Sequence, residues 1–511
     1  MSVSASVTSS SYDNLATANS VPAIGRRVLV SIPTGFQLRQ FIHSGVVDML
    51  LRRGIQVSIV SPNQPGEGFA RELTKKGVQV LALDLKTGPW CRRYWAARQH
   101  LLLNGPPTAT LRQKKNDLRR RYWEVALVAQ VGNQVLRNFP WLRRKVLRWE
   151  RLILQDGTLN RLLSDKQFDL VLLGSPGYEL RDAFLLHAAV HYGIPVIAAI
   201  LSWDNLTSKG FINPQPDRLL VWSAHMRDEA MNLYGIAPDH LIETGTAVHD
   251  VFAHVNRFGT RSENLQRLGL DPKRRIIFYG TNHGAAIVDE VEVVRQIAQW
   301  VEQDALGYPC QLWVRLHPQA IAGPYSVPLE PYRELASSLV KIEFPPVYAS
   351  NLLWELPKED LEHLVGLLRD ADVVINTGSL SVDAAILDRP VICLAYDPSG
   401  DLPYDRSVKR YYNYTHMLNL TQCGAVQLAS SAADMRKKIT TYLAHPELDR
   451  EGRQRLVTQQ FGRVDGHSAE RIVNTVLGML SSKTREVMGE RQSMNNKHDD
   501  LAPSSTKATV R

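Results

Sequence analysis

Cysteine is scarce in this chain. Cys91, Cys310, Cys393 and Cys423 are the four among 511 residues, and they share neither the spacing of a disulfide framework nor that of a zinc site. A small cross-linked scaffold is excluded, and a reduced, cytosolic compartment is expected. No run of about 18 uncharged apolar residues occurs, so no segment reads as membrane-spanning. The opening stretch, MSVSASVTSSSYDNLATANS, lacks the basic start and apolar centre of a secretion signal and reads as a flexible leader over 1–24. GxGxxG and Walker-type glycine spacings are missing, which disfavours a dinucleotide oxidoreductase or a P-loop NTPase. There is no clear carboxylate cluster either, so neither a metal nor a cofactor is expected.

What is present is a long alternation of apolar strands and amphipathic helices. Strands are read at 26–33, 55–62, 78–84, 168–174, 194–201 and 217–222, and again at 274–280, 311–318, 340–344, 373–375 and 391–394, with helices between them. Such alternation predicts parallel sheets covered on both faces. At about 150 residues per domain the length allows two to four domains. The expected layout is an N-terminal Rossmann-like domain over 25–258 and a C-terminal one over 259–482 that takes a nucleotide donor, with a polar, disordered tail over 483–511. Ligand is expected in the crevice between the halves, at the carboxyl ends of the strands.

The densest signal is DADVVINTGSLSVDAAILDRPVICLAYDP, residues 370–398. Val373–Ile375 forms a strand, Asn376-Thr377-Gly378-Ser379 a turn, Ser381–Leu387 a helix stopped by Arg389-Pro390, and Val391–Leu394 the next strand. A helix start carries unsatisfied N–H groups and the positive end of the dipole, so a diphosphate suits it. Thr377, Gly378, Ser379 and Ser381 are therefore candidate donor contacts, and Asp383 can accept from ribose hydroxyls. The bland alternative is a small-residue turn chosen for tight packing.

Three further loops follow strands. In Ser202-Trp203-Asp204-Asn205-Leu206-Thr207-Ser208-Lys209, Asp204 is a candidate general base if burial raises its pKa. Lys209 can hold a phosphate there, beside Trp203 and Asn205. Asp204 and Asn205 alternatively form only an Asx-type turn. In Arg315-Leu316-His317-Pro318 the proline ends the strand and turns His317 toward the crevice, where an imidazole can stabilise a departing nucleoside diphosphate. Thr34-Gly35 follows the first strand and can shape an acceptor pocket, with His43 as a second candidate base or an ordinary surface histidine. Gly280 and Thr281 occupy the corresponding loop of the second half.

Residues 91–151 break the alternation. They hold fifteen Lys or Arg against three acids, +12 locally, more than the formal +9 of the whole chain, interleaved with Trp95, Trp123, Trp141 and Trp149. A basic helical insertion over 88–155 is expected. Its reader is an anionic membrane surface, or else its aromatics pack on the domain body. Nucleic acid, the other reader of such charge, is not expected because no binding-fold signature accompanies it.

Taken together these motifs resemble the GT-B superfamily of glycosyltransferases, in particular the branch of CDP-glycerol glycerophosphotransferases and related surface-polysaccharide transferases. NTGSLSVDAAILDRPVICLAYD is similar to that branch's hydroxyl-rich loop, RLHP to its His-Pro motif, and DGHSAERIV to its terminal helix, over roughly 200–480. The resemblance implies phosphate contacts from His317, Thr377, Gly378, Ser379 and Ser381, and a ribose contact from Asp383. Where that branch carries Trp-His-Gly-Thr, this chain has Trp203-Asp204-Asn205-Leu206-Thr207, so a nucleotide sugar is as suitable a donor as a CDP-polyol. The implied activity is metal-independent transfer from a nucleotide-activated donor to a polysaccharide or lipid-linked acceptor hydroxyl, at the inner face of the cell membrane. UDP-N-acetylglucosamine 2-epimerases share this fold and donor site. A non-catalytic, membrane-associated scaffold is the alternative of a different class.

Overall fold

The structure, a computed structural model, describes residues 25–481 apart from 86, 104, 165–167, 285 and 349–350. The expected leader, 1–24, and tail, 483–511, lie outside the described residues.

Two all-parallel sheets form the frame. The first holds β1 (Arg27–Ser31), β2 (Gln56–Ser61), β3 (Gln79–Ala82), β4 (Leu170–Leu173), β5 (Val196–Ala199), β6 (Arg218–Val221) and β7 (Leu241–Glu243), in the order β3-β2-β1-β4-β5-β6-β7. The second holds β8 (Arg275–Gly280), β9 (Cys310–Arg315), β10 (Val340–Glu343), β11 (Val373–Ile375), β12 (Val391–Leu394) and β13 (Gln427–Ala429), in the order β10-β9-β8-β11-β12-β13. The strand order reverses between β1 and β4 and between β8 and β11, and loops at such points open a crevice at the carboxyl ends. Central strands such as Leu170–Leu173 and Val391–Leu394 are buried at every position, because helices cover both faces. β13 is three residues of mixed character, too short to show a period.

Two expectations need correction. The helix expected between the first two strands is interrupted: Leu38–His43 is a π-helical turn, and Val46–Arg52 restarts after Gly45, whose φ of 84° lies in the left-handed region that glycine tolerates. The terminal helix, 468–481, belongs to the first domain's core and not to the second. Ala469, Ile472, Val473, Val476 and Leu480 pack with Val28, Val30 and Leu170, while Asp250 accepts from the N–H groups of Ser468 and Ala469 at 2.9 and 2.8 Å.

The insertion is four helices: α1 (Pro89–Leu101), α2 (Ala109–Arg121), α3 (Trp123–Asn138) and α4 (Pro140–Ile153). It is rooted by a buried ion pair, Arg98 with Glu150. Arg98 also donates to the Asn213 carbonyl at 3.1 Å, and Tyr94 donates to Glu150 at 2.8 Å. Burial pushes the Glu150 carboxyl up, but His187, Arg98 and Asn213 more than reverse this and hold it at about 2. Helix α2 reaches across to the second domain. Thr415 N–H donates to Thr110 Oγ1 at 2.9 Å, Gln113 donates to Tyr404 Oη at 2.8 Å, and Arg120 pairs with Asp405 at 3.3 Å.

Candidate functional site

A cavity of about 260 Å³ lies where the loops leaving β5, β8, β9 and β11 converge with α2 and the segment 411–417. From the sequence-derived candidates it gathers Trp203, Asp204, Thr281, His317, Thr377, Gly378 and Ser379.

Helix α5 (Ser379–Ile386) begins at the cavity, so its unpaired N–H groups face the space where charge is wanted. Thr377 Oγ1 accepts from the Leu394 N–H at 2.8 Å, which fixes the turn against β12. His317 caps a short turn: its Nδ1 accepts from the Gln319 backbone N–H at 3.1 Å, and the His317 backbone N–H donates to Thr281 Oγ1 at 2.9 Å. Burial first, then the neighbouring His283, Arg39 and Arg315, lower the imidazole to about 4. It is therefore neutral at pH 7, and with Nδ1 accepting, the proton sits on Nε2 and can be donated. Below the β8 loop, Glu290 accepts from the Asn282 backbone N–H at 3.0 Å and from Tyr279 Oη at 3.1 Å; burial lifts it to about 7.

Asp204 lies in the opposite wall, but its expected tuning is reversed. Burial raises its carboxyl, yet His416, Lys209 and the hydroxyls of Ser202 and Ser208 outweigh this and bring it to about 2. Both oxygens are engaged, by Ser202 at 2.6 Å and Ser208 at 2.7 Å. Asn205 folds back as an Asx residue, its Oδ1 accepting from Ser202 N–H at 3.3 Å, and does not line the cavity. Lys209 stands outside the lining too, acting on Asp204 through its charge.

Other candidates are used elsewhere. The Arg315 guanidinium is taken by Glu343 and Asp360 in a buried ion-pair network. Ser381 is fully buried and donates to the Asn376 carbonyl at 2.7 Å, closing the turn from behind. Asp383 is 2.9 Å from His249 Nε2, which holds it away from the lining. Gly280 is packed under Leu380. Thr34 and Gly35 lie beneath Leu353 and Trp354, a segment of the second domain, with Gly35 N–H donating to the Leu353 carbonyl at 3.2 Å. His43 is half-buried outside the cavity, lowered to about 4 by burial and then by Arg39 and Lys358.

Reading the sequence missed Lys114, Asn376, His283, His416 and the aromatic wall of Tyr411 and Tyr414, all of which line the cavity. His283 stands two residues beyond Thr281, in the loop already noted after the first strand of the second half, and Asn376 opens the hydroxyl-rich turn. Lys114 and His416 carried no local signal, because α2 and the segment 411–417 meet only in the folded chain. Lys114 Nζ donates to the Ser208 carbonyl at 2.7 Å, and burial, then Lys209, lower it to about 8 against the pull of Asp204 and Asp117. The His416 ring stands edge-on to Trp203 with centroids 4.9 Å apart. His283 Nδ1, Asn376 Oδ1 and His416 Nδ1 are buried without a hydrogen-bond partner in the chain. These atoms have almost no accessible surface and sit behind the cavity wall, where buried polar atoms are nearly always paired. Among the described residues, no group of three or more His, Cys, Asp or Glu gathers in metal-binding proximity.

Two facing parallel-sheet α/β domains with the cavity between them make a fold of the GT-B type. A candidate UDP-N-acetylglucosamine 2-epimerase from Listeria monocytogenes superposes with a TM-score of 0.50 at 13% identity, over 88% of this chain and 94% of that one. The UDP-GlcNAc 2-epimerase of Neisseria meningitidis bound to UDP-GlcNAc gives 0.49 at 14%, over 88% and 99%, and a glycosyltransferase of Rickettsia africae gives 0.43 at 11%, over 91% and 98%. Identity this low makes these likenesses of fold. No protein-family model matches the chain, and no curated protein matches it by sequence.

Proposed function

We propose that the protein transfers a glycosyl group from a nucleotide sugar to an acceptor hydroxyl, in the assembly of a surface polysaccharide or glycolipid. The observation that carries this reading is the second-domain wall: a helix N-terminus and a neutral Nε2–H on His317 at one cavity. These groups suit a nucleoside diphosphate as it leaves. The acceptor oxygen bonds to the anomeric carbon, the bond from that carbon to the diphosphate oxygen breaks, and the growing negative charge meets the N-terminus of α5 and His317. His416 takes the acceptor's proton, and Asp204, too acidic at about 2 to act well as a base, holds the resulting imidazolium by its charge. Tyr411 and Tyr414 offer faces for a base or sugar ring.

Calorimetry with UDP, CDP and GDP tests the reading. One of them is expected to bind, and His317→Ala to weaken it about tenfold, the loss of one hydrogen bond to a charged group. Failure of all three would sink it. A CDP-polyol donor is the outcome if CDP alone binds. Epimerisation is the second reading, favoured by the 2-epimerase fold likeness. A change in a UDP-sugar followed by NMR without any acceptor would decide for it.

A further inference from the structure

The insertion has two faces, and its outer one is the wrong kind for water. Helix α3 carries apolar side chains on two sides, with Glu124, Gln130, Gln134, Arg137 and Asn138 exposed among the outer ones. Ala126, Ala129 and Leu136 bury one side against the other insertion helices, while Trp123, Leu127, Val131 and Val135, spaced by four, stand in solvent on the opposite side. Trp123 is 62% exposed, and Val128, beside the stripe, 68%. A helix that buries one apolar side and leaves a second row of large apolar side chains in solvent has a surface that a partner can cover. Helix α4 shows a different mixture. Trp141, Lys145, Arg148, Trp149 and Leu152, which share one face by helical spacing, are all exposed, and Lys145 Nζ lies 5.2 Å over the Trp141 ring. Phe139, at the corner joining the two helices, is half exposed as well.

Charge says what covers this surface. Of the insertion's three acids, Glu150 is buried against Arg98, and Asp117 faces Arg410 at 3.8 Å, leaving Glu124 exposed. Arg144, Lys145 and Arg148 are exposed beside the tryptophans. Basic heads next to tryptophan and aliphatic side chains match the headgroup boundary of a bilayer, where phosphates meet acyl chains. A protein partner for so basic a face would have to be acidic and apolar at once. Among the described residues no helix is long and apolar enough to cross a membrane.

We propose that α3 and α4 dock the protein on an anionic lipid bilayer, the α3 stripe entering the acyl boundary and the basic residues of α4 taking lipid phosphates. The inference does not rest on the transfer reading, since it uses no residue of the cavity. Helix α2 packs on α3 and carries Lys114 into the cavity wall, so the docked layer and the site share one helical unit.

Co-sedimentation of the full chain tests it, with vesicles of phosphatidylcholine alone and with phosphatidylserine added at about one part in three. Binding to the anionic vesicles is expected, with a part that survives raised salt because the apolar stripe is indifferent to screening. Leu127→Ser, Val131→Ser and Val135→Ser together should abolish the salt-resistant part. Arg144→Gln, Lys145→Gln and Arg148→Gln should weaken anionic binding by about fivefold for each charge and leave the salt-resistant part. Circular dichroism and thermal melting of both variants should match the wild type, which shows that they fold. Wild-type protein that stays in the supernatant with both vesicles overturns the proposal. So does an oligomer in light scattering that the serine variant disperses while vesicles are ignored, because the stripe is then a contact between copies.

Discussion

The two walls of the cavity differ in how much of their hydrogen-bonding capacity is already used. On the first-domain side both Asp204 oxygens are held by serines and Lys114 is held by a carbonyl. On the second-domain side His283, Asn376 and His416 each keep a buried atom without a partner, and a helix N-terminus is left open. A wall that is satisfied without ligand can orient and tune. A wall with an open helix N-terminus can still take a charged group from a ligand. On the transfer reading proposed above, the contrast places nucleotide capture on the second domain and positioning on the first.

The largest effect that could break this contrast is on turnover. His416→Ala is expected to lower kcat by about 10² or more, the usual contribution of a positioned base, while Asp204→Asn, which keeps the shape but not the charge, should cost about tenfold. If Asp204→Asn is the more damaging of the two in single-turnover measurements, the carboxylate is the base and the first wall is not merely orienting. Next comes stability. In the unfolded chain Glu290 loses its proton near 4.5, and in the folded protein at about 7. The folded state therefore binds the extra proton between those values. The contribution of Glu290, about 3 kcal/mol at 1.36 kcal/mol per unit, is full below about pH 4.5 and is lost as pH rises through about 7. Urea titrations across this window should show stability falling with pH, and Glu290→Gln should reduce that slope, the remainder belonging to Asp182, which burial also lifts to about 7; an unchanged slope removes Glu290 as a source.

Two smaller tests sharpen the assignment within each wall. Ser379→Ala should weaken nucleotide binding by severalfold, whereas Ser381→Ala should cost about 1 kcal/mol of stability and leave affinity alone. Equal affinity losses from both would mean that the turn does not separate a binding hydroxyl from a structural one. On the other side, if the Lys114 ammonium attracts the donor's phosphates, affinity should decline as pH climbs through about 8, where it loses its charge. Lys114→Arg should move the decline out of range. A pH profile identical in wild type and variant would leave Lys114 a structural contact with Ser208.

How much of this could be read in advance follows from how local each feature is. The unit 370–398 was legible because strand, turn and helix start are written in consecutive residues, and the His317 turn because Pro318 marks it. Ser381 sits one helical position from Leu380, which lines the cavity, but Cys393 and Asn376 enclose its hydroxyl, and no spacing shows that. The pKa expected for Asp204 assumed burial alone; the two serines and His416 reverse its sign. Asp383 and Arg315 were claimed by His249, Glu343 and Asp360, partners 134, 28 and 45 residues away. The basic run 91–151 announced an insertion, yet nothing in it showed that one of its lysines would enter the cavity.

The return of helix 468–481 to the first sheet sets an order on the making of the molecule. As the chain leaves the ribosome, β1 to β7 are complete long before the residues that cover one of their faces, Ile472 and Val476 among them, have been joined to the chain. During that interval the part of this apolar sheet face not already covered by Phe41, Leu50 and Phe69 waits without its cover, and any chain stopped before about residue 470 is left in that state.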